Sequence, residues 1–199
     1  MSADLPIVAL ARHGETAWSK SGQHTGLTDL PLTERGEALA KRLGDRIRGM
    51  KFDRVFTSPL KRARDTCKLA GFADVAEILP DLVEWNYGKY EGRRTADIQA
   101  ERPGWELFRD GVPDGESPDQ ISARADRVIQ VVRSVDGNVL LFSSGHILRV
   151  FGARWLGMPA SFGNYLLLGT ASVSVVGYDH SLSEPAIRLW NDTDFLEGK

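Results

Sequence analysis

The chain has 199 residues, 42% hydrophobic and 26% charged, with a formal net charge of -2. This is the composition of an ordinary globular protein, and residues 1–199 are expected to form a single domain. The charge gives no electrostatic footprint for nucleic acid or an anionic membrane. No apolar run approaches the ~20 residues that span a bilayer, and the one cysteine, Cys67, excludes an internal disulfide framework and a cysteine-rich metal site.

Met1-Ser2-Ala3-Asp4-Leu5-Pro6 has neither the basic patch nor the apolar core of a signal peptide, so a cytoplasmic location is the expectation. Ile7-Val8-Ala9-Leu10-Ala11 reads as a short buried strand, ended by Gly14. A polar, glycine-rich loop follows over 14–33. Thr33 then suits an N-cap with acidic residues in the first turn behind it, and Leu39, Leu43 and Ile47 recur at helical spacing to about Gly49.

Val55-Phe56-Thr57 reads as a second strand, and Pro59 suits the first turn of a helix that stops near Gly71. Residues 80–116 are broken by prolines and glycines, with a helical patch over 95–101. Ile121, Ala125, Val128, Ile129 and Val132 mark a long amphipathic helix. A buried strand over 138–143, an apolar helix over 145–156 and two strands over 171–178 and 187–190 complete the chain. The last pair suggests a hairpin at a sheet edge. Strands alternating with helices predict an α/β fold, a three-layer α/β/α sandwich with a mostly parallel sheet.

Open α/β sheets bind ligands at the C-terminal ends of their strands. Arg12 and His13 stand at such an end. Histidine is a nucleophile that works near neutral pH, and the arginine fork fits a phosphate. Ser58 ends the second strand with Arg62 just beyond it, and Ser143-Ser144-Gly145-His146 ends the strand over 138–143. Glu84 is the candidate proton donor. Taken singly, Arg62 is a solvated helix residue, Glu84 a loop carboxylate and His146 a helix cap. Their joint placement points to phosphoryl transfer through a phosphohistidine. The histidines His13, His24, His146 and His180 form no metal-binding spacing, so neither metal nor cofactor is called for.

Four motifs carry a family resemblance: Ala11-Arg12-His13-Gly14-Glu15-Thr16, Thr57-Ser58-Pro59-Leu60-Lys61-Arg62-Ala63, Glu84-Trp85-Asn86-Tyr87-Gly88, and Asp114-Gly115-Glu116-Ser117. With them the chain resembles the histidine phosphatase superfamily, which includes the phosphoglycerate mutases. The loop over 18–33 and the tail with Gly177-Tyr178-Asp179-His180 are similar to the sedoheptulose-1,7-bisphosphatase and small acid phosphatase branch. The resemblance implies a phosphoglycerate mutase-like fold, His13 as nucleophile, Arg12 and Arg62 as holders of the equatorial oxygens, and Glu84 as acid and then base. It also implies phosphoryl or substrate contacts from Ser19 and Thr25. His24, Gly26, Tyr87, Gly145 and His146 are the further candidates for substrate contact.

One position departs from the family pattern. Relatives place their second catalytic histidine where this chain has Ser144, with His146 two residues later and the register set by Leu148-Arg149. Three explanations stand side by side: a substitution introduced to trap a ligand, natural impairment, or replacement of the missing imidazole by His146. The activity implied is a phosphomonoesterase for small phosphorylated metabolites such as sedoheptulose 1,7-bisphosphate. The alternatives are a phosphoglycerate mutase and a non-catalytic phosphate-binding homologue. Trp85, where mutases carry an arginine, reads as an apolar pocket wall and argues against the mutase. Trp18, Tyr87 and Tyr90 are further candidates for the pocket mouth. Arg149 reads as a cap or pairing residue without a catalytic part, His180 as structural and Cys67 as a buried small hydrophobe. A monomer and a homodimer are both compatible with the sequence.

Overall fold

The computed structural model describes residues 5–196. The reading of residues 1–6 as lacking a leader rests largely on residues 1–4, which lie outside the described residues. The elements run β1 (Val8–Arg12), α1 (Ala17–Ser21), α2 (Glu34–Ile47), β2 (Arg54–Thr57), α3 (Lys61–Leu69), β3 (Ala76–Ile78), α4 (Thr95–Glu101), α5 (Leu107–Asp110), α6 (Pro118–Arg133), β4 (Val139–Ser143), α7 (Gly145–Trp155), β5 (Val173–Tyr178) and β6 (Pro185–Asp192). The strands form one sheet in the order β3-β2-β4-β1-β5-β6. β3, β2, β4 and β1 are mutually parallel, and β5 is antiparallel to both its neighbours.

The two-residue period of a strand sorts its side chains between the layers. Val8 and Leu10 of β1 join Val128 and Val132 of α6 and Leu148 and Phe151 of α7. Ala9 and Ala11 point the other way, toward Leu43 and Ile47 of α2 and Cys67 of α3. Both faces of β1 and β4 are covered, which is why these strands read as unbroken apolar runs. The helices start on recognisable signals. The Thr33 hydroxyl accepts from Gly36 N at 3.0 Å ahead of α2, and Ser117 and Gln120 form a reciprocal capping box around Pro118 at the start of α6. Such a cap is worth about 1 kcal/mol.

Two expectations need correction. The helix after β2 starts at Lys61 with Leu60 as its N-cap, so Pro59 precedes the helix instead of occupying its first turn. The Ser58 hydroxyl accepts from Leu60 N at 3.3 Å and holds that bend. β3 goes unpredicted because Ala76-Glu77-Ile78 is an edge strand without a buried face; Ile78 is 55% exposed. The terminal hairpin forms at the sheet edge as expected, with β6 running longer than predicted.

Residues 80–116 fold into short turns, α4 and α5, and carry their own apolar cluster, including Trp85, Tyr87, Tyr90, Trp105 and Phe108 packed against Ile121 and Ile147. The chain leaves β1 for α2 on one face of the sheet, whereas it leaves the neighbouring β4 for α7 on the other. This divergence opens a crevice at the C-terminal ends of β1 and β4, the topological switch point of the sheet.

Candidate active site

Register places Arg12 beside Ser143, so the ends of β1 and β4 meet at the crevice. The turn after β1 is fixed by backbone packing. A Cβ on Gly14 would stand 2.4 Å from Gly36 O, and one on Gly36 would stand 2.1 Å from Glu15 O. Only glycines permit this approach between the turn and the start of α2. Thr66 of α3 adds a hydroxyl that accepts from Gly14 N at 3.0 Å.

His13 is buried, and its Nδ1 lies 2.7 Å from Gly14 O. An Nδ1–H donating to that carbonyl leaves Nε2 with its lone pair available. Burial first, then the charges of Arg62 and Arg12, hold the imidazole well below its ordinary range. His13 is therefore neutral and nucleophilic at neutral pH. Arg12 donates through Nη1 to the Leu168 carbonyl, while its buried Nε has no partner among the described residues. Its guanidinium lies over Gly145, where a Cβ would stand 3.2 Å from Cζ. Burial draws the Arg12 group down from its usual value, and Glu84 and Tyr87 oppose that shift.

Glu84 is buried with three backbone donors on its carboxylate: Trp85 N and Ile147 N on Oε1, each at 2.8 Å, and His146 N on Oε2 at 2.9 Å. It satisfies the open N–H groups at the start of α7 and still lines the cavity. Arg124 supports this loop from behind. It donates to the carbonyls of Asp81, Val83 and Glu84 and pairs with Glu116 at 2.7 Å.

The cavity has a volume of about 240 Å³ and is lined by Arg12, His13, Glu84, Ser19, Thr25 and His24, together with Tyr87, Gly145, His146 and Arg149. Most of the sequence candidates thus meet in one place. The Ser19 hydroxyl also works in the α1 cap, accepting from Thr16 N at 2.8 Å. The Thr25 hydroxyl donates to Gln23 O at 3.2 Å.

Arg62, Ser144 and Gly26 do not line the cavity. Gly26 packs against Trp85, Tyr87 and Glu91. Its N–H donates to Glu91 and its carbonyl accepts from Arg62, and a Cβ would strike Trp85 O at 2.6 Å. Arg62 is fully buried, donating to the carbonyls of Thr28 at 3.0 Å, Thr25 at 3.0 Å and Gly26 at 2.8 Å. Its Nε donates to Ser144 Oγ at 3.3 Å. Four of its five N–H vectors are thereby engaged, so Arg62 presents its charge to His13 rather than an open fork to a ligand. Ser144 is also fully buried; it is the N-cap residue of α7, but its side chain makes no capping bond.

The aromatic candidates divide as well. Tyr87 lines the cavity, and burial pushes its phenol well above the ordinary value. The protonated hydroxyl is hydrogen-bonded to His146 Nδ1. Trp85 is no pocket wall. It is fully buried, edge-on to Phe108 and donating to Glu116 O at 2.9 Å. Tyr90 packs on Trp105, and neither it nor Trp18 reaches the cavity. His146 is held by Tyr87, with its ring 5.3 Å from that of Phe108 and 6.0 Å from that of His24. Burial, Arg149 and His24 keep it well below its usual range. His24 packs 4.7 Å from the Tyr87 ring, and burial lowers its pKa to about 4.

Sequence reasoning missed Arg149 as a cavity residue. It is half-buried on α7, and burial lowers its pKa to about 10. Leu148-Arg149 sets the family register, but its spacing on the helix does not show that Arg149 reaches the cavity. Cys67 is buried as expected, and burial raises its thiol to about 12. His180 is exposed beside Asp179 and Glu184.

A neutral imidazole, a guanidinium and a carboxylate line one crevice of the mostly parallel sheet, an arrangement chemically able to hold an anion beside a free imidazole nitrogen. The sequence model of the histidine phosphatase superfamily (branch 1) matches residues 8–193, and the chain belongs to that family. By class it is a histidine phosphatase. It is 38% identical to an acid phosphatase of Mycobacterium tuberculosis over 89% of both chains. It is 37% identical to the sedoheptulose 1,7-bisphosphatase of Saccharomyces cerevisiae over 77% of this chain and 68% of the other. The solved structure of the Mycobacterium tuberculosis open reading frame Rv3214 superposes with a TM-score of 0.90 at 36% identity, covering 94% of this chain and 97% of that one. Among the described residues no helix is long and apolar enough to cross a membrane.

Proposed function

We propose that the chain is a phosphomonoesterase for small phosphorylated metabolites, with sugar phosphates favoured, working through a phosphohistidine. His13 Nε2 attacks phosphorus, the P–O bond to the sugar breaks, and the leaving oxygen takes a proton from the Glu84 carboxyl group. Water then attacks the phosphohistidine, the P–N bond breaks and Glu84 recovers a proton. Arg12, which lines the cavity, carries the charge stabilisation, with Arg62 as a fixed positive charge behind it. The supporting observation is that His13, Arg12 and Glu84, from separate parts of the chain, line one cavity of about 240 Å³.

One observation favours a second reading, a phosphate-binding homologue without turnover. Ser144 is buried against Arg62 and offers the cavity no donor where relatives place an imidazole. A panel of sugar phosphates, phosphoglycerates and an aryl phosphate, assayed with the given chain, its Ser144→His form and a His13→Ala blank, separates the readings. Phosphate release that depends on His13 supports the phosphatase. Binding without release from either active-site form supports the binder, and isomerisation of phosphoglycerate without net release supports a mutase.

A further inference from the structure

The motif Asp114-Gly115-Glu116-Ser117 contributes no side chain to the cavity, yet it seats the loop that carries Glu84. Lys89 N donates to Pro113 O at 2.9 Å, Glu116 N to Asn86 O at 2.9 Å, and the Trp85 indole to Glu116 O at 2.9 Å. A Cβ on Gly115 would stand 2.3 Å from Asn86 O, so the two backbones are in contact. The Glu116 carboxylate also accepts from Asn86 N at 2.9 Å.

Arg124 of α6 completes this arrangement. It is buried, and all five of its N–H groups are engaged. Nε and Nη2 donate to the two oxygens of Glu116 at 2.8 and 2.7 Å, a fork on a carboxylate. Nη1 donates to the carbonyls of Asp81 at 2.7 Å and Val83 at 2.6 Å, and Nη2 to that of Glu84 at 3.2 Å. The pair thus holds the main chain on both sides of Glu84, and neither member lines the cavity. Ile121 and Ala125 of α6 pack in one cluster with Ile147 and Val150 of α7, the helix whose N–H groups hold the Glu84 carboxylate. One helix therefore braces both the backbone of the acid and the element on which its carboxylate rests.

We infer that Arg124 and Glu116 are a positioning pair for the Glu84 acid, fixing where its proton meets the leaving oxygen. This rests on the phosphomonoester reading and deepens it. As the P–O bond breaks, a sugar oxygen leaves with the Glu84 proton, whereas 4-nitrophenolate leaves as a stable anion without it. Attack by His13 and charge stabilisation at Arg12 serve both substrates alike. An acid displaced by about 1 Å should therefore slow the two unequally.

The test compares kcat/KM, which reports phosphorylation of the nucleophile, for 4-nitrophenyl phosphate and the fastest sugar phosphate of the panel. The parent is whichever of the given chain and its Ser144→His form releases more phosphate. Arg124→Lys keeps the charge and loses the fork; Glu116→Gln keeps the backbone contacts and loses the charge pair. Each should lower kcat/KM about tenfold to a hundredfold on the sugar phosphate and less than about threefold on the aryl phosphate. Glu84→Gln should show the same inequality. Where Arg124→Lys fails to fold, Glu116→Gln decides. An equal loss on both substrates in the pair variants, or no loss on either, overturns the inference while leaving the phosphatase reading intact. An equal loss in Glu84→Gln removes Glu84 as the acid and the inference with it. A parent without His13-dependent release from any sugar phosphate overturns both readings.

Discussion

Glu84 caps the helix that Ser144 begins. The N-cap hydroxyl of Ser144 turns away to Arg62, and the Glu84 carboxylate accepts from His146 N and Ile147 N instead. The proposed proton donor is thus also a structural support of α7, held between the loop that carries it and the end of β4.

Replacing Glu84 should therefore affect stability as well as turnover. Glu84→Ala leaves the N–H groups of Trp85, His146 and Ile147 without their partner. The expected loss is about 2 kcal/mol, with Glu84→Gln recovering part of it. Urea unfolding at constant m-value checks this, and an unchanged midpoint in Glu84→Ala would remove the capping role.

Restoring the imidazole at position 144 should raise hydrolysis of an aryl phosphate by about 10²–10³, the usual effect of one well-placed donor to a developing anion. Steady-state kinetics of Ser144→His against the given chain provides the measurement. A rate that does not rise would count against an impaired phosphatase and for the binding homologue.

The buried histidines should make the fold sensitive to acid. His13, His24 and His146 all have folded pKa values below the ordinary 6.5, His24 at about 4. Below pH 6.5 the unfolded chain takes up these protons and the folded chain does not. Stability from this source is full above pH 6.5 and is lost as pH falls toward 4, at up to about 1.4 kcal/mol per pH unit for each group. Urea midpoints between pH 7.5 and 5 should fall, and His24→Gln should flatten the slope. An unaltered slope in that variant would refute the linkage for His24.

Gly36→Ala should destabilise, against the general rule that alanine improves a helix by up to about 1 kcal/mol. Its Cβ would sit 2.1 Å from Glu15 O, so the turn bearing His13 must shift. A lower melting temperature together with weaker phosphate binding is the expected result. A higher melting temperature would show that the turn yields freely.

The sheet was legible where the apolar run is unbroken. Val8 to Ala11 and Val139 to Phe142 are apolar on both faces because two helical layers cover them. The edge strand at Ala76–Ile78 was not legible, since exposure removes the pattern. At the site, Arg12 and His13 could be placed from a strand end alone. Arg149 could not, because its environment depends on Gly163 and Asn164 in a later turn. Likewise, nothing local to Arg62 announces that its hydrogens meet carbonyls over 25–28 rather than the cavity. Trp85 was misplaced because an aromatic beside a proposed acid fits a wall or a core equally well until the packing is seen.

The grip of Arg62 on those carbonyls has a bearing on how the protein can change its ligands. Swinging the 25–28 rim outward would strip a sealed-in cation of its acceptors, at about 3–5 kcal/mol if they go unreplaced. Selectivity on that side is therefore a matter of rigid fit. Variants that accept new molecules should arise by exchanging side chains on the opposing walls, not by loosening this loop.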